Sequence, residues 1–344
     1  VKTYHVGVIA CGGISHAHAQ GYARVPRTKI VAGADINPEQ HKRFGEAFGV
    51  ERFYTDYREM LEKESLDIVS VTTYPTIRKE ATLAAVAAGA RGIYCEKPMC
   101  MDLAEAEEMV SACRDAGAVL IVGHQRRFEG PYVKARELAH SGAIGDIRRI
   151  ENACPKWDLF EWGTHWMDMM LFLNNDVGAT WVLAQIDRRW DRIGYGHRME
   201  TEAFVSIGFE NGVRGIFESG DRLGDEGFYN RIYGTEGMIE LHVPGRPALR
   251  ARVLGDAEWG TPPCPGGNPF QAAIEALIES METGKPHTMG GDKALKGFEL
   301  MMAAYESART GKLVELPLAT KTSPLGAMLQ RVGVPLIVDP SRGR

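Results

Sequence analysis

Short apolar runs alternate with longer, helically periodic stretches over the first third of the chain. Residues 4–10 form an apolar run that turns at Gly12-Gly13 into a helical pattern, and residues 29–34 form a second run ending at Asp35. A helical pattern occupies 38–48. Apolar runs at 67–72, 93–95 and 119–123 are separated by helical patterns at 79–88 and 103–116, the first stopped by Gly89. Strands alternating with helices predict βαβ units, a parallel sheet and right-handed crossovers. After about residue 126 the character changes. Residues 147–153, 181–187, 203–210, 213–219, 231–233 and 238–243 read as strands, and Asn211-Gly212 joins two of them as a hairpin. Helical patterns follow at 270–282 and 292–310. The stretch 319–344 shows no period and reads as an extended arm.

The expected fold class is therefore α/β, a doubly wound parallel sheet followed by an α/β domain with a large, mostly antiparallel open sheet. The expected domains are 1–125, 126–318 and a C-terminal extension, 319–344. A length of 344 residues with 44% hydrophobic composition supports about two domains with proper cores. A net charge of −5 argues against a nucleic-acid binder, which needs a basic surface. No apolar run approaches the roughly 18 residues of a membrane span, and no signal peptide is read at the start. The six cysteines are scattered without a Cys-x-x-Cys pair, so no metal site is expected and a cytoplasmic setting is.

The candidate phosphate loop is Ala10-Cys11-Gly12-Gly13-Ile14-Ser15. Glycines allow close approach of backbone to pyrophosphate, and the helix N-terminus adds N–H donors and a positive dipole end. The fingerprint is degenerate, with Ala10 and Ser15 at two usual glycine positions. Context supports it, because the loop follows the first strand and Asp35 ends the next, where an acid binds the adenosine ribose. A carboxylate there repels a 2′-phosphate, and Ile36 rather than an arginine follows. NAD is favoured over NADP.

At Glu96-Lys97-Pro98 the pieces form a recognisable series: the glycine loop, Asp35, Thr73 and Pro75 before a helix, and that triplet. Arg126-Arg127-Phe128 and Gly163-Thr164-His165 with Asp168 complete it. In order and spacing the chain resembles the glucose–fructose oxidoreductase and inositol dehydrogenase (Gfo/Idh/MocA) family. The resemblance runs from Val6 to about Leu318. It implies a Rossmann domain, an α/β domain whose open sheet commonly serves oligomerisation, and cofactor contacts at Cys11, Gly12, Gly13, Ile14, Asp35, Thr73, Glu96 and Lys97. Three positions depart from the family: Glu161 stands at a usual aspartate, Arg78 where histidine is frequent, and His124 where asparagine is common. The first two are expected to line the substrate pocket.

Lys97, at a strand end, suits stabilisation of charge developing on a reacting hydroxyl oxygen, and Pro98 restricts its backbone. His165 opens an apolar helical run. A helix N-terminus and a nearby lysine both keep its ring neutral, the state that a general base needs. Glu161 is the third catalytic candidate, as a proton relay or a substrate ligand. The expected substrate contacts are Lys97, Arg126, Trp162, His165 and Asp168. Trp157, Trp162 and Trp166 offer a sugar-stacking wall.

These residues predict an NAD-dependent dehydrogenase acting on a secondary hydroxyl of a sugar, polyol or glycoside. A lyase that oxidises its substrate transiently with tightly held NAD, and a regulatory dinucleotide sensor, are the alternatives. A homodimer or homotetramer is expected, because Val205, Ile207 and Phe209 read as an apolar outer face of the hairpin.

Overall fold

The computed structural model describes residues 2–224 and 227–338. They group into two compact units, the described residues of 2–128 with 267–295, and those of 129–266 with 296–338. No helix among the described residues is long and apolar enough to cross a membrane.

The first unit runs β1 (Tyr4–Ile9), α1 (Ser15–Ala23), β2 (Thr28–Ala34), α2 (Pro38–Phe48), β3 (Arg52–Tyr54), α3 (Tyr57–Lys63), β4 (Ile68–Val71), α4 (Pro75–Ala87), β5 (Gly92–Cys95), α5 (Leu103–Asp115) and β6 (Val119–Val122). All sheet pairs are parallel, in the order β3-β2-β1-β4-β5-β6. This is the doubly wound dinucleotide-binding order, whose ligand crevice lies at the carboxyl ends of the strands beside β1 and β4. β4 and β5 are buried at every residue, which is why they read as unbroken apolar runs rather than alternating ones. Local signals set the helix ends. Asn37 caps α2 through the Glu39 amide, Pro38 follows at the first helical position, and Gly49 closes the helix in the left-handed region.

The second unit runs α6 (Gly130–His140), β7 (Ile147–Pro155), α7 (Thr164–Leu173), β8 (Ala179–Asp187), β9 (Arg192–Gly194), β10 (His197–Met199), β11 (Glu202–Phe209), β12 (Arg214–Gly220), β13 (Tyr229–Gly234), β14 (Met238–Leu241) and β15 (Leu249–Arg252). After α8 (Pro269–Thr283) and α9 (Gly291–Thr310) come β16 (Val314–Glu315) and α10 (Pro324–Arg331). Eight strands form one sheet, β15-β14-β13-β7-β12-β11-β8-β16, antiparallel except for β7 with β12.

Three expectations change. Residues 267–295, expected in the second domain, belong to the first unit. There α8 lays Ile274, Leu277, Ile278 and Met281 against a core with Tyr4, Val6, Tyr94 and Ile121. Each such burial is worth roughly 1.5–3 kcal/mol. An added Cβ on Gly21 of α1 would lie 2.8 Å from Phe270 Cβ and 2.9 Å from Ile274, so the α1–α8 approach needs glycine there.

The apolar face assigned to the hairpin is also reversed. Val205, Ile207 and Phe209 are buried within this single chain, and Phe204 (44% exposed) and Leu183 (45% exposed) point outward instead. Strand side chains alternate, so assigning the wrong parity moves a whole face. The outer face is mixed: one row crosses the sheet through Leu183, Ser206, Ile216, Glu151, Arg231 and Glu240. Its far end is held by charge, with Arg231, Arg246 and Arg250 all on Glu240.

The expected extended arm contains α10, capped by Ser323 and buried through Leu325 and Leu329. Its last residues, 339–344, lie outside the described residues.

Candidate active site

The phosphate loop leaves β1 through Ala10, which takes φ 70°, the left-handed conformation that the usual glycine would adopt without strain. Ala10 is held there by its N–H on the Ala34 carbonyl (2.7 Å) and by the Thr72 hydroxyl on its own carbonyl (2.6 Å). Ser15, at the other departed position, folds its hydroxyl back onto the Gly12 carbonyl (2.5 Å). An added Cβ at Gly12 or Gly13 would meet nothing within 4 Å, so this side of the loop is open. Helix α1 starts without a side-chain cap or an acidic first turn, which suits an anion at its N-terminus. These features fit a dinucleotide pyrophosphate at Gly12, Gly13 and Ile14. Asp35 accepts the Cys11 and Asn37 N–H groups, each at 2.8 Å. It braces the loop against the end of β2, and a carboxylate keeps lone pairs for ribose hydroxyls. The Cys11 thiol is pushed up to about 12 by burial and by Asp35, so it packs rather than reacts.

At the carboxyl end of β5, Glu96 is buried. Its Oε1 lies 2.9 Å from His18 Nε2, and its Oε2 accepts the Lys97 N–H at 3.0 Å. His18 Nδ1 lies 3.2 Å from Ser70 Oγ, which also bonds the Tyr22 hydroxyl at 2.9 Å. Burial pushes the Glu96 carboxyl up, but His18, Lys97 and Arg78 outweigh it and the net direction is down. An ionised Glu96 therefore accepts from His18 Nε2–H. Gly123, at the end of β6, leaves room for it: a Cβ there would sit 2.6 Å from Glu96 Oε1. Lys97 is partly buried and joined to Pro98 by a cis peptide bond. Thr73, partly buried, follows β4, and Arg126 lies on a 3-10 turn, Gln125–Phe128. Beside it, the buried Arg127 donates to the Thr288 carbonyl at 3.2 Å.

In the second unit, His165 is reached through a π-helical turn, Leu159–Gly163, that runs into α7. Asp158 caps the turn, its Oδ1 accepting the Glu161 N–H (2.5 Å) and its carbonyl the Gly163 N–H (2.9 Å). Glu200 accepts the Leu159 N–H and the Tyr305 hydroxyl, the latter at 2.6 Å. Glu161 is buried and bonded to His197 Nε2 at 2.8 Å. Crowding of carboxylates out of water has a cost. Burial, then repulsion from Asp158, pushes the Glu200 carboxyl up to about 7, and burial with the Glu161 charge raises Asp158. Arg192 Nε, 3.6 Å from Asp158, offsets part of this. Asn152 of β7 ties the helix down through the Trp166 carbonyl (2.9 Å). His165 and Asp168 are buried one turn apart on α7. The tryptophans separate: Trp157 and Trp162 stack at 4.6 Å, with Phe228 against Trp162 at 5.8 Å, whereas Trp166 is core. The Trp162 ring centre lies 6.3 Å from that of His165.

Residues 4–124 match the sequence profile described as oxidoreductase family, NAD-binding Rossmann fold. Residues 158–316 match that of the oxidoreductase family C-terminal alpha/beta domain. The chain belongs to the Gfo/Idh/MocA family. It is 29% identical to D-apiose dehydrogenase of Paraburkholderia graminis over 94% of each chain. It is 25% identical to myo-inositol 2-dehydrogenase of Thermotoga maritima, over 90% of this chain and 98% of that one. Aldose-aldose oxidoreductase of Caulobacter crescentus, crystallised with glycerol, superposes with a TM-score of 0.80 at 24% identity. That match covers 92% of this chain and all of the other. The protein is thus an oxidoreductase with an NAD-binding Rossmann domain.

Within this Gfo/Idh/MocA framework, several site residues escape sequence reasoning. Arg78, expected to line the substrate pocket, is buried. Its Nε donates to the Thr73 carbonyl (2.9 Å) and its Nη1 to the Pro98 carbonyl, so it clamps the loops after β4 and β5 together. A guanidinium can bridge two carbonyls in this way because its donors form a planar fork. Asp158 carried a readable signal, an acid three residues before Glu161 as in a capping box. His18, His197, Glu200 and Tyr305 carried none, because their partners are remote in sequence.

Proposed function

We propose that this chain oxidises a secondary hydroxyl of a sugar, polyol or glycoside with NAD as the hydride acceptor. The observation that carries the reading is Lys97 at the carboxyl end of β5, its peptide N–H held by the buried Glu96 carboxylate. Doubly wound sheets take their ligands at that edge. Relatives named for D-apiose and myo-inositol support the substrate class. When bound, the nicotinamide supplies the hydride acceptor. Lys97 holds the reacting oxygen and stabilises the charge that builds on it. His165 takes the hydroxyl proton, which requires a neutral ring. Asp168, buried one turn on, orients His165; Glu161 relays the proton or binds a neighbouring hydroxyl. Trp162 and Arg126 contact the substrate. Thr73, Gly12, Gly13, Ile14 and Asp35 hold the cofactor, with Glu96 and Cys11 supporting them.

The test is a panel of sugars, polyols and glycosides with NAD, read by NADH absorbance. No NADH from any member overturns the reading, and product without net NADH turns it toward transient oxidation and elimination. NAD(H) is expected to bind more tightly than NADP(H), because Asp35 faces a 2′-phosphate with negative charge. The following Ile36, 87% exposed, offers no cation. Asp35→Ser should narrow the difference; an NADP(H) affinity equal to that for NAD(H) in the unaltered protein contradicts the assignment.

A cytoplasmic dimer or tetramer completes the proposal. Exposed Leu183 and Phe204 on the outer sheet face, rather than the buried Val205, Ile207 and Phe209, support assembly there. A monomer by light scattering at micromolar concentration rejects it.

A further inference from the structure

The Glu161–His197 contact has a fixed hydrogen-bond polarity. His197 Nδ1 lies 3.1 Å from the Arg198 carbonyl, which can only accept, so Nδ1 carries a hydrogen. Nε2 faces Glu161 Oε1 at 2.8 Å, and both side chains are buried. One proton therefore occupies the Nε2···Oε1 bond, whichever atom owns it. That bond fixes Oε1 and leaves Oε2 to other partners. Phe160 packs edge-on to the imidazole at 4.7 Å, which limits rotation of the ring. The charged and titratable groups gathered around the pair are Asp158, Arg192, Glu200 and Tyr305.

His197 rides on a very small hairpin. β9 and β10 pair through three residues each and turn at Tyr195 and Gly196, both with positive φ (49° and 81°). An isolated two-stranded ribbon is marginally stable. Here the far end of the chain braces it. Arg198 N–H donates to the Leu336 carbonyl and Val338 N–H to the Gly196 carbonyl, each at 2.9 Å. His197 forms an antiparallel bridge with Ile337, and Arg198 Nη1 donates to the Pro335 carbonyl at 2.9 Å. Residues 335–338 thus act as a third strand. Their anchor is α10, which buries Leu325 and Leu329 and meets Leu336 near Gly326. The family match ends at residue 316, so this brace lies beyond the matched residues.

We infer that His197 is a positioning residue for Glu161 and the turn leading to His165, and that the segment 319–338 holds His197 in place. This rests on the dehydrogenase reading for its kinetic consequence only. The full-length His197→Ala protein should lose about tenfold or more in kcat, the scale of slight misplacement of a catalytic group. KM should change less, and NAD affinity by calorimetry should stay within about twofold, since no residue of the phosphate loop is touched. His197→Gln, whose amide can still donate to Glu161, should recover most of the loss. Leu325→Ala combined with Leu329→Ala, which loosens α10, should lower kcat in the same direction. Adding His197→Ala to that pair should cost little more, because both act through one contact. Activity of His197→Ala within about twofold of the unaltered protein, no recovery with Gln, or losses that multiply would overturn the inference. Hydrogen exchange gives a readout independent of turnover. Amides 159–163 should exchange faster in His197→Ala and in the α10 variant, with 4–124 unchanged; unaltered protection at 159–163 also overturns it. If the unaltered protein oxidises no sugar but the exchange pattern appears, the dehydrogenase reading fails and the coupling stands. Should the α10 double variant not fold, Arg198→Gln, which removes the guanidinium bond to Pro335, carries the same expectations.

Discussion

Lys97→Ala is expected to lower turnover by about a hundredfold or more while NAD still binds, the scale of removing a charged contact to an oxygen that gains charge in the transition state. Lys97 belongs to neither the phosphate loop nor the ribose contact, so losing its one expected cofactor contact should change cofactor titration little. His165→Ala is expected to lose a similar factor by removing the proton acceptor. If the two act on one hydroxyl as proposed, the double variant should be less impaired than the product of the two, because coupled groups are not additive. Glu161→Gln separates its two roles. A pocket ligand raises KM and spares turnover, whereas a relay lowers turnover and shifts its pH profile. Steady-state kinetics with calorimetric NAD binding checks the set, and near-normal activity of Lys97→Ala would sink the catalytic assignment.

His18→Leu is expected to destabilise the protein by about 3 kcal/mol, the cost of leaving the buried Glu96 carboxylate without its hydrogen-bond donor. The His18 and Glu96 side chains are excluded from solvent, and a Cβ on Gly123 would press on Glu96, so no water-filled space can take over. Replacing both residues, His18→Leu with Glu96→Leu, should recover a large part of the loss, since an apolar pair leaves no isolated charge. Urea unfolding midpoints of the three variants decide it. A double variant as unstable as the single one refutes this account. Turnover should fall in the single variant too, because Glu96 is what holds the Lys97 amide.

The first unit was readable because its signals are local. The apolar runs at 4–10, 29–34, 93–95 and 119–123 each meet an observed strand within a residue or two at either end, and the 38–48 helix has its cap, its proline and its closing glycine in sequence. β3 escaped because three residues, Arg52–Tyr54, show no period. α3, with seven residues, spans about two turns. In the second unit β7, β8 and β11 to β14 were legible, whereas the short β9, β10, β15 and β16 and the parity of the hairpin were not. Val205, Ile207 and Phe209 differ from Phe204 only in what packs behind them, and that depends on helices elsewhere in the chain.

The alternation of elements, the glycine loop with Asp35, the Glu96-Lys97-Pro98 strand end and the helix behind His165 can be read from the chain alone, because each is encoded by neighbours. Only the folded chain shows that α8 completes the first core, that Arg78 clamps two loops, that His18 hydrogen-bonds the buried Glu96, and that Glu161 is met by His197. Those are pairings between residues tens to more than two hundred positions apart. Propensity and spacing act over a few residues, whereas burial and charge compensation act wherever folding brings groups together.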